Sequence, residues 1–531
     1  MSVWPGSSPW RSARRSRKPG ARSTTRRRTS AGTPRRRSAP THAAHPPRTA
    51  RATSSRSPNR SGPAPRRRGR MTAAAAAQLT AATAQRHLLL NMTANGSLGD
   101  QGENLLVVQR GEGPYVDDAD GRRYIDGLSG LYCCQLGYSY GPEFAEAAER
   151  QLRELCYSPL WTGSAHPSAI ELAERLSRIA PVDVEHTFFA SGGAEAVETA
   201  WKLARRYHTL RGEPGRTKAI ARRGAYHGLT LGTLSFNDDP GLTEPYGPPA
   251  IDTRFVSNTD RRGLAPEFAD DEVYTAWLLA ELEAAILTEG PETVAMLIAE
   301  PVQNRGGCIT PPQGYWQGLR ALADRYGFLL VADEVITAFG RIGEWFGGDR
   351  YGAHPDMVTV AKGITSGYAP LGATLVGTKV TEVINRPGAV LNHGYTFAGH
   401  PLSTAIALRN LEIMERDRVL DNVRGLQDEL ARRMAALGDL PIVGDVRGTG
   451  FFYSCELVGD LDDGAFSAKA RTELIGDLIP RRLREAGLLA RVYNRSAPLV
   501  QIAPPLISDR AVLDRIAAII AGVLAEASAR I

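Results

Sequence analysis

Cysteine is scarce in this chain of 531 residues, and the few present form no pattern. Cys133, Cys134, Cys156, Cys308 and Cys455 are scattered, odd in number and include no C-x-x-C pair. That excludes a disulfide framework and gives no zinc-ligand spacing, so no metal is expected and a reducing cytoplasm fits. Long hydrophobic runs are missing as well. No uninterrupted apolar stretch has the length a bilayer crossing needs. Acidic side chains are absent from residues 1–70, which hold 20 Lys/Arg. The formal net charge of +7 therefore misleads: the rest of the chain holds 44 basic against 57 acidic residues, a net of −13. The basicity sits in one tail, and the acidic body is not expected to bind nucleic acid or a membrane.

That tail is rich in Arg, Ser, Pro, Thr and Ala, with triplets at Arg26-Arg27-Arg28, Arg35-Arg36-Arg37 and Arg66-Arg67-Arg68. So little apolar surface cannot offset the entropy of ordering, and residues 1–70 are expected to be disordered. One reading is a nucleic-acid-binding or targeting arm, which predicts salt-sensitive DNA binding. The other is translation from a start codon upstream of the native one. No aromatic residue interleaves with the arginine triplets, no apolar segment follows them, and the composition changes abruptly at Arg70-Met71. Those features favour the second reading, with a native start at Met71 or Met92.

What remains has the balance of a globular protein, with 42% hydrophobic and 23% charged residues, and length enough for two or more domains. Tyr115-Val116-Asp117 and Arg123-Tyr124-Ile125 flank an Asp120-Gly121 turn, a hairpin signal. Four later runs read as buried strands: His186 to Ala190, Val294 to Ala299, Phe328 to Ala332, and Met357 to Ala361. Near-continuous apolar strands separated by helix-length segments predict an α/β fold with a mostly parallel sheet covered on both faces. From about residue 402 the pattern is amphipathic helix broken by short strands such as Gly450-Phe451-Phe452-Tyr453, a second, smaller α/β unit.

Ligands of such sheets bind beyond the carboxyl ends of the strands, and the polar residues of interest fall there. Lys362 follows one apolar run, and Asp333 follows another 29 positions earlier. An amine and a carboxylate at neighbouring strand ends can reach one ligand from two sides. A pyridoxal phosphate site needs that arrangement, the amine for a Schiff base and the carboxylate to keep the ring nitrogen protonated. Ser191-Gly192-Gly193-Ala194 opens a helix whose first turn can hold a phosphate. Tyr226, in Tyr226-His227-Gly228, can stack on a flat ring, and His227 reads as a base or a packing histidine. In Glu300-Pro301-Val302-Gln303, Glu300 and Gln303 can bond a ring hydroxyl or each other, and Val335 can pack on the ring face opposite Tyr226.

Taken in order, Gly193-Ala194, Tyr226-His227-Gly228, Glu300-Pro301-x-Gln303, Asp333-Glu334-Val335, Lys362 and His393-Gly394-Tyr395-Thr396-Phe397-Ala398-Gly399-His400-Pro401 resemble the class III aminotransferases of PLP fold type I. The likeness runs from about residue 100 to the C-terminus. The tail over 1–70 lies outside it, and it implies a small domain begun by 71–128 and completed by 402–531, and a large cofactor-binding domain over 129–401. It also implies that Lys362 carries the cofactor, Asp333 pairs with the ring nitrogen, Tyr226 and Val335 flank the ring, and Gln303 neighbours the ring oxygen. Gly193 and Ala194 would hold the phosphate. Thr396 would reach the phosphate of the other subunit, which implies a homodimer, with a tetramer as alternative. The family usually has Ser or Thr where Ala194 stands, so one hydroxyl contact is lost.

The segment Gly127 to Tyr132 resembles the entrance loop of the pyruvate-dependent ω-aminotransferases, which often carry Trp where Tyr132 stands. Tyr132 and Trp161 would line the substrate pocket. Arg491 resembles that subgroup's mobile carboxylate-binding arginine, with Arg495 the rival position. The activity implied is ping-pong transfer of an amino group from an amine or ω-amino acid to a keto acid, pyruvate in particular. A 2-oxoglutarate-linked aminotransferase, an aminomutase or a decarboxylase would share every cofactor motif.

Overall fold

In the computed structural model, residues 81–531 are described, apart from 101, 103, 462, 463, 495 and 496. The basic tail and Arg495 lie outside the described residues. The chain divides into two units, Met1–Gly69 and Arg70–Ile531, and the second holds all the described elements.

Fifteen strands form three sheets among the described residues. The strands are β1 (Val108–Glu112), β2 (Tyr115–Asp118), β3 (Arg123–Asp126), β4 (Val184–Ala190), β5 (Lys218–Arg222), β6 (Thr253–Val256), β7 (Val294–Ala299) and β8 (Leu329–Asp333). They continue with β9 (Met357–Val360), β10 (Gly372–Gly377), β11 (Val443–Thr449), β12 (Phe452–Leu457), β13 (Leu488–Leu489), β14 (Arg491–Tyr493) and β15 (Leu499–Ile502). The large sheet has the order β4-β10-β9-β8-β7-β5-β6. All its neighbours run parallel except β10, which is antiparallel to both β4 and β9.

Every residue of β7, β8, β9 and β10 is buried, as expected of strands covered on both faces. Leu297, Leu330 and Ala332 pack under helices Asp271–Glu289 and Tyr315–Tyr326. Met296, Val331 and Met357 pack on the opposite face under helix Gly193–Leu210. Truncating one such side chain, Leu330→Ala for example, would cost roughly 2–5 kcal/mol.

The four expected runs are all strands, with β8 reaching one residue further so that Asp333 is its last member. β10 escaped the pattern because Gly-Ala-Thr-Leu-Val-Gly is short and bounded by glycines. The expected hairpin is β2–β3, with Gly121 at φ +82° in its turn. The expected strand at Gly450 begins instead at Phe452. Gly448 (φ +146°) lies near the end of β11, opposite Tyr453, and Gly450 (φ +58°) forms the turn into β12. Two smaller sheets complete the unit. One joins the early hairpin to a late segment, in the order β1-β2-β3-β13, with Leu488 opposite Ile125. The other is β11-β12-β15-β14. Strands from both chain ends thus build the smaller α/β part beside the large sheet. Among the described residues no helix is long and apolar enough to cross a membrane.

Gly450 meets its neighbours with no room for a side chain: a Cβ there would lie 2.4 Å from Ile342 Cα and 2.9 Å from Arg341 O. Both obstacles are backbone. Gly450→Ala is expected to destabilise the fold by about 1–3 kcal/mol, read as a lowered melting temperature.

Candidate active site

The parallel strands of the large sheet all end on one side, and that side carries a cavity of about 370 Å³. Its wall includes Gly193 and Ala194 after β4, Tyr226 and His227 after β5, and Glu300 after β7. Asp333, Val335 and Lys362 complete it from β8 and the turn after β9. Eight of the expected residues therefore meet in one place.

Register fixes the carboxylate. Asp333 lies opposite Thr359 in the β8–β9 ladder. Thr359 Oγ1 donates to Asp333 Oδ1 at 3.1 Å, and the Val335 N–H donates to the same oxygen at 3.1 Å. On the other oxygen, His227 Nδ1 lies 2.7 Å from Oδ2. His227 is itself held, its N–H donating to Asn237 Oδ1 (2.8 Å) while Asn237 Nδ2 donates to Gly228 O (2.7 Å). Three polar partners around a buried carboxylate fix its direction.

Lys362 sits just past β9 at φ +44°, a left-handed conformation that non-glycine residues adopt only where the surroundings force it. It lies deep in the protein, yet part of its surface stays accessible because it faces the cavity. Burial lowers its pKa, and Cys133, Asp333 and Glu300 oppose that shift. No described carboxylate comes within ion-pair distance of its amine. A buried lysine without a counter-ion is costly as a cation and useful as a nucleophile. Glu300 is wholly buried, and burial pushes its carboxyl up; its Oε2 accepts from the Asn304 N–H at 3.0 Å.

Gly193 begins the helix Gly193–Leu210, whose first-turn N–H groups point away from any helical acceptor. Val335 lies directly over it: a Cβ on Gly193 would stand 2.9 Å from Val335 Cγ1. Glycine is what lets the apolar side chain and the helix start approach.

The other expected residues fall outside the cavity wall. Gln303 is buried beneath it, its Nε2 donating to the carbonyls of Arg223 and Arg305 at 3.1 Å each. Tyr132 is 2% exposed and belongs to a core cluster with Val302, Ile336 and Phe452, not to an entrance. Arg491 is half-buried at the start of β14, and its charge acts on Lys362 and Tyr226. Trp161 and Thr396 are exposed; Trp161 packs on Gly394, and the Thr396 carbonyl accepts from Tyr157 Oη at 2.8 Å. The motifs passed over Thr359 and Asn237. Thr359 had a signal, as a lone polar residue in the apolar run Met357-Val358-Thr359-Val360.

An unpaired amine and a triply held carboxylate facing one cavity, with a helix start on its wall, fit a pyridoxal phosphate enzyme. Residues 98–524 match the aminotransferase class-III family. The chain belongs to that family and is a PLP-dependent transaminase. It is 46% identical over 445 residues to the Mycobacterium tuberculosis protein named "Probable aminotransferase Rv3329", covering 84% of this chain and 94% of the relative. It is 35% identical over 412 residues to the putrescine–pyruvate aminotransferase of Pseudomonas aeruginosa, covering 77% and 88%. Among solved structures, an (S)-enantioselective omega-transaminase from Thermomicrobium roseum superposes with a TM-score of 0.78 at 39% identity, covering 84% of this chain and 98% of that one.

Ala194 lines the cavity, where the resemblance to the family led to the expectation of a hydroxyl. Ala194→Ser is expected to tighten cofactor retention by about fivefold, the worth of one hydrogen bond, measured by dialysis of the holoenzyme against cofactor-free buffer.

Proposed function

We propose that this transaminase moves an amino group from a primary amine or ω-amino acid to a small monocarboxylic keto acid, pyruvate in particular, in two half-reactions at one site. The observation that carries the reading is a pair of cations without a described carboxylate partner: the Lys362 amine on the cavity wall, and the Arg491 guanidinium outside the wall, whose charge acts on Lys362. A second guanidinium, Arg305, stands nearby but is already paired with Asp239. One free guanidinium suits a substrate with one carboxylate, which favours pyruvate over a dicarboxylate such as 2-oxoglutarate. The name of the Pseudomonas relative supports the same acceptor.

Each residue's part follows from its place. Gly193 and Ala194 would hold the cofactor's phosphate by backbone N–H groups at the helix start. Tyr226 and Val335 would bracket its ring, with Asp333 at the ring nitrogen and His227 and Thr359 steadying Asp333. Bound there, pyridoxal phosphate supplies an electron sink for a carbon that has lost a proton. Lys362 Nζ, its pKa lowered by burial, takes the proton from the amine-bearing carbon of the donor and later returns one to the keto carbon of the acceptor. Arg491 holds the acceptor carboxylate. Val302 and Ile336 add apolar side chains to the cavity wall.

The exposed pair Thr396-Phe397, with Phe397 62% exposed, supports a homodimer in which Thr396 meets the partner's phosphate site. All five cysteines are free thiols, in keeping with a cytoplasmic setting.

Lys362→Ala is expected to abolish turnover and the visible absorption of the cofactor-loaded protein; a variant that transaminates at the wild-type rate sinks the proposal. Arg491→Leu is expected to raise KM for pyruvate at least tenfold, as loss of a charge-assisted pair implies, in steady-state kinetics with a saturating donor.

A further inference from the structure

Arg491 has few polar contacts that could hold it in place. Its Nη1 lies 3.2 Å from Tyr132 Oη, and its guanidinium stacks over the Tyr493 ring at 5.4 Å. Tyr132 is anchored far more firmly than its neighbour. Its ring meets Phe452 edge-on, with centroids 5.8 Å apart. Its backbone, at φ +62°, follows a turn in which Ser129 Oγ donates to Ala503 O (2.7 Å) and accepts from the buried Arg341 Nη2 (3.1 Å).

The direction of the hydroxyl proton is decided by Gln501. Tyr132 Oη donates to Gln501 Oε1 at 2.5 Å, and Gln501 Nε2 is occupied by Asn304 Oδ1 and Cys308 Sγ, each at 3.1 Å. A phenol has one proton. With that proton committed to Gln501, the oxygen presents only lone pairs to Arg491. Burial pushes the Tyr132 hydroxyl up to about 12, so it is a neutral acceptor at physiological pH.

We infer that Tyr132 is a positioning residue that parks the Arg491 guanidinium beside the cavity, so that this enzyme prefers substrates bearing a carboxylate over uncharged amines and aldehydes. The inference rests on Arg491 gripping carboxylates, as proposed above. Tyr132 does not touch substrate; it acts through Arg491. A tryptophan in its place would offer an N–H donor and no acceptor, and would leave the guanidinium free to swing. The hydroxyl thus trades breadth of substrate for readiness toward small monocarboxylates.

The test uses holoenzyme in the pyridoxamine phosphate form, with pyruvate against propanal as acceptors and propionate as an unreactive competitor. In Tyr132→Phe, KM for pyruvate and the inhibition constant of propionate should each rise roughly tenfold, while KM for propanal stays level or falls. Tyr132→Trp should shift the same way, and serves if the Phe variant is unstable. Adding Tyr132→Phe to Arg491→Leu should change neither constant further. Equal weakening of pyruvate and propanal, or no weakening of either, would overturn the inference. If Arg491→Leu weakens propionate but Tyr132→Phe does not, the inference fails and the carboxylate grip stands. If Arg491→Leu leaves propionate unaffected, the grip itself fails.

Discussion

An amine held in the interior without a carboxylate beside it is an expensive thing to build, and the rest of this molecule is arranged around keeping it so. Asp333 acts on Lys362 through its charge, yet its oxygens are engaged by His227, Thr359 and the backbone of Val335. Glu300, the other buried acid on the wall, is disfavoured as an anion by its burial. The large sheet provides the stage: its fully buried strands fix these groups to within the tolerance of a hydrogen bond, and none of them rests on a long loop.

Charge elsewhere is handled in the opposite way. Arg305 is matched to Asp239, and Arg341, though buried, is matched by the Phe451 and Pro504 carbonyls, Ser129 and Gln135. Burial lowers the Arg341 pKa to about 10, yet it stays cationic at neutral pH, a polar rivet between segments far apart in sequence. Against that background an arginine with only phenols for company stands out, as Arg491 does.

Much of this was legible in the order of residues. Asp333 and Lys362 declare themselves because each ends an apolar run, and the boundaries of those two strands came within a residue of those observed. Composition located the basic tail and the acidic body. What could not be read was anything depending on contacts across hundreds of residues. Tyr132 was expected to line the substrate pocket because its segment resembles a family's entrance loop; the fold buries its side chain against Phe452 and Gln501. That Gln303 Nε2 ties down the carbonyls of Arg223 and Arg305, leaving its buried Oε1 without a described partner, could not be read from the motif. β10 was invisible because its glycines suppress the strand signal while its neighbours on both sides supply the pairing.

The pairing of β3 with β13 joins Ile125 to Leu488, and Tyr132 waits for Gln501. A ribosome must therefore finish nearly the whole polypeptide before the specificity pocket has its second half. The large sheet, made from consecutive middle segments, can collapse earlier. A nascent chain stalled near residue 480 would own its lysine and its carboxylate but neither Arg491 nor the Gln501 that holds Tyr132.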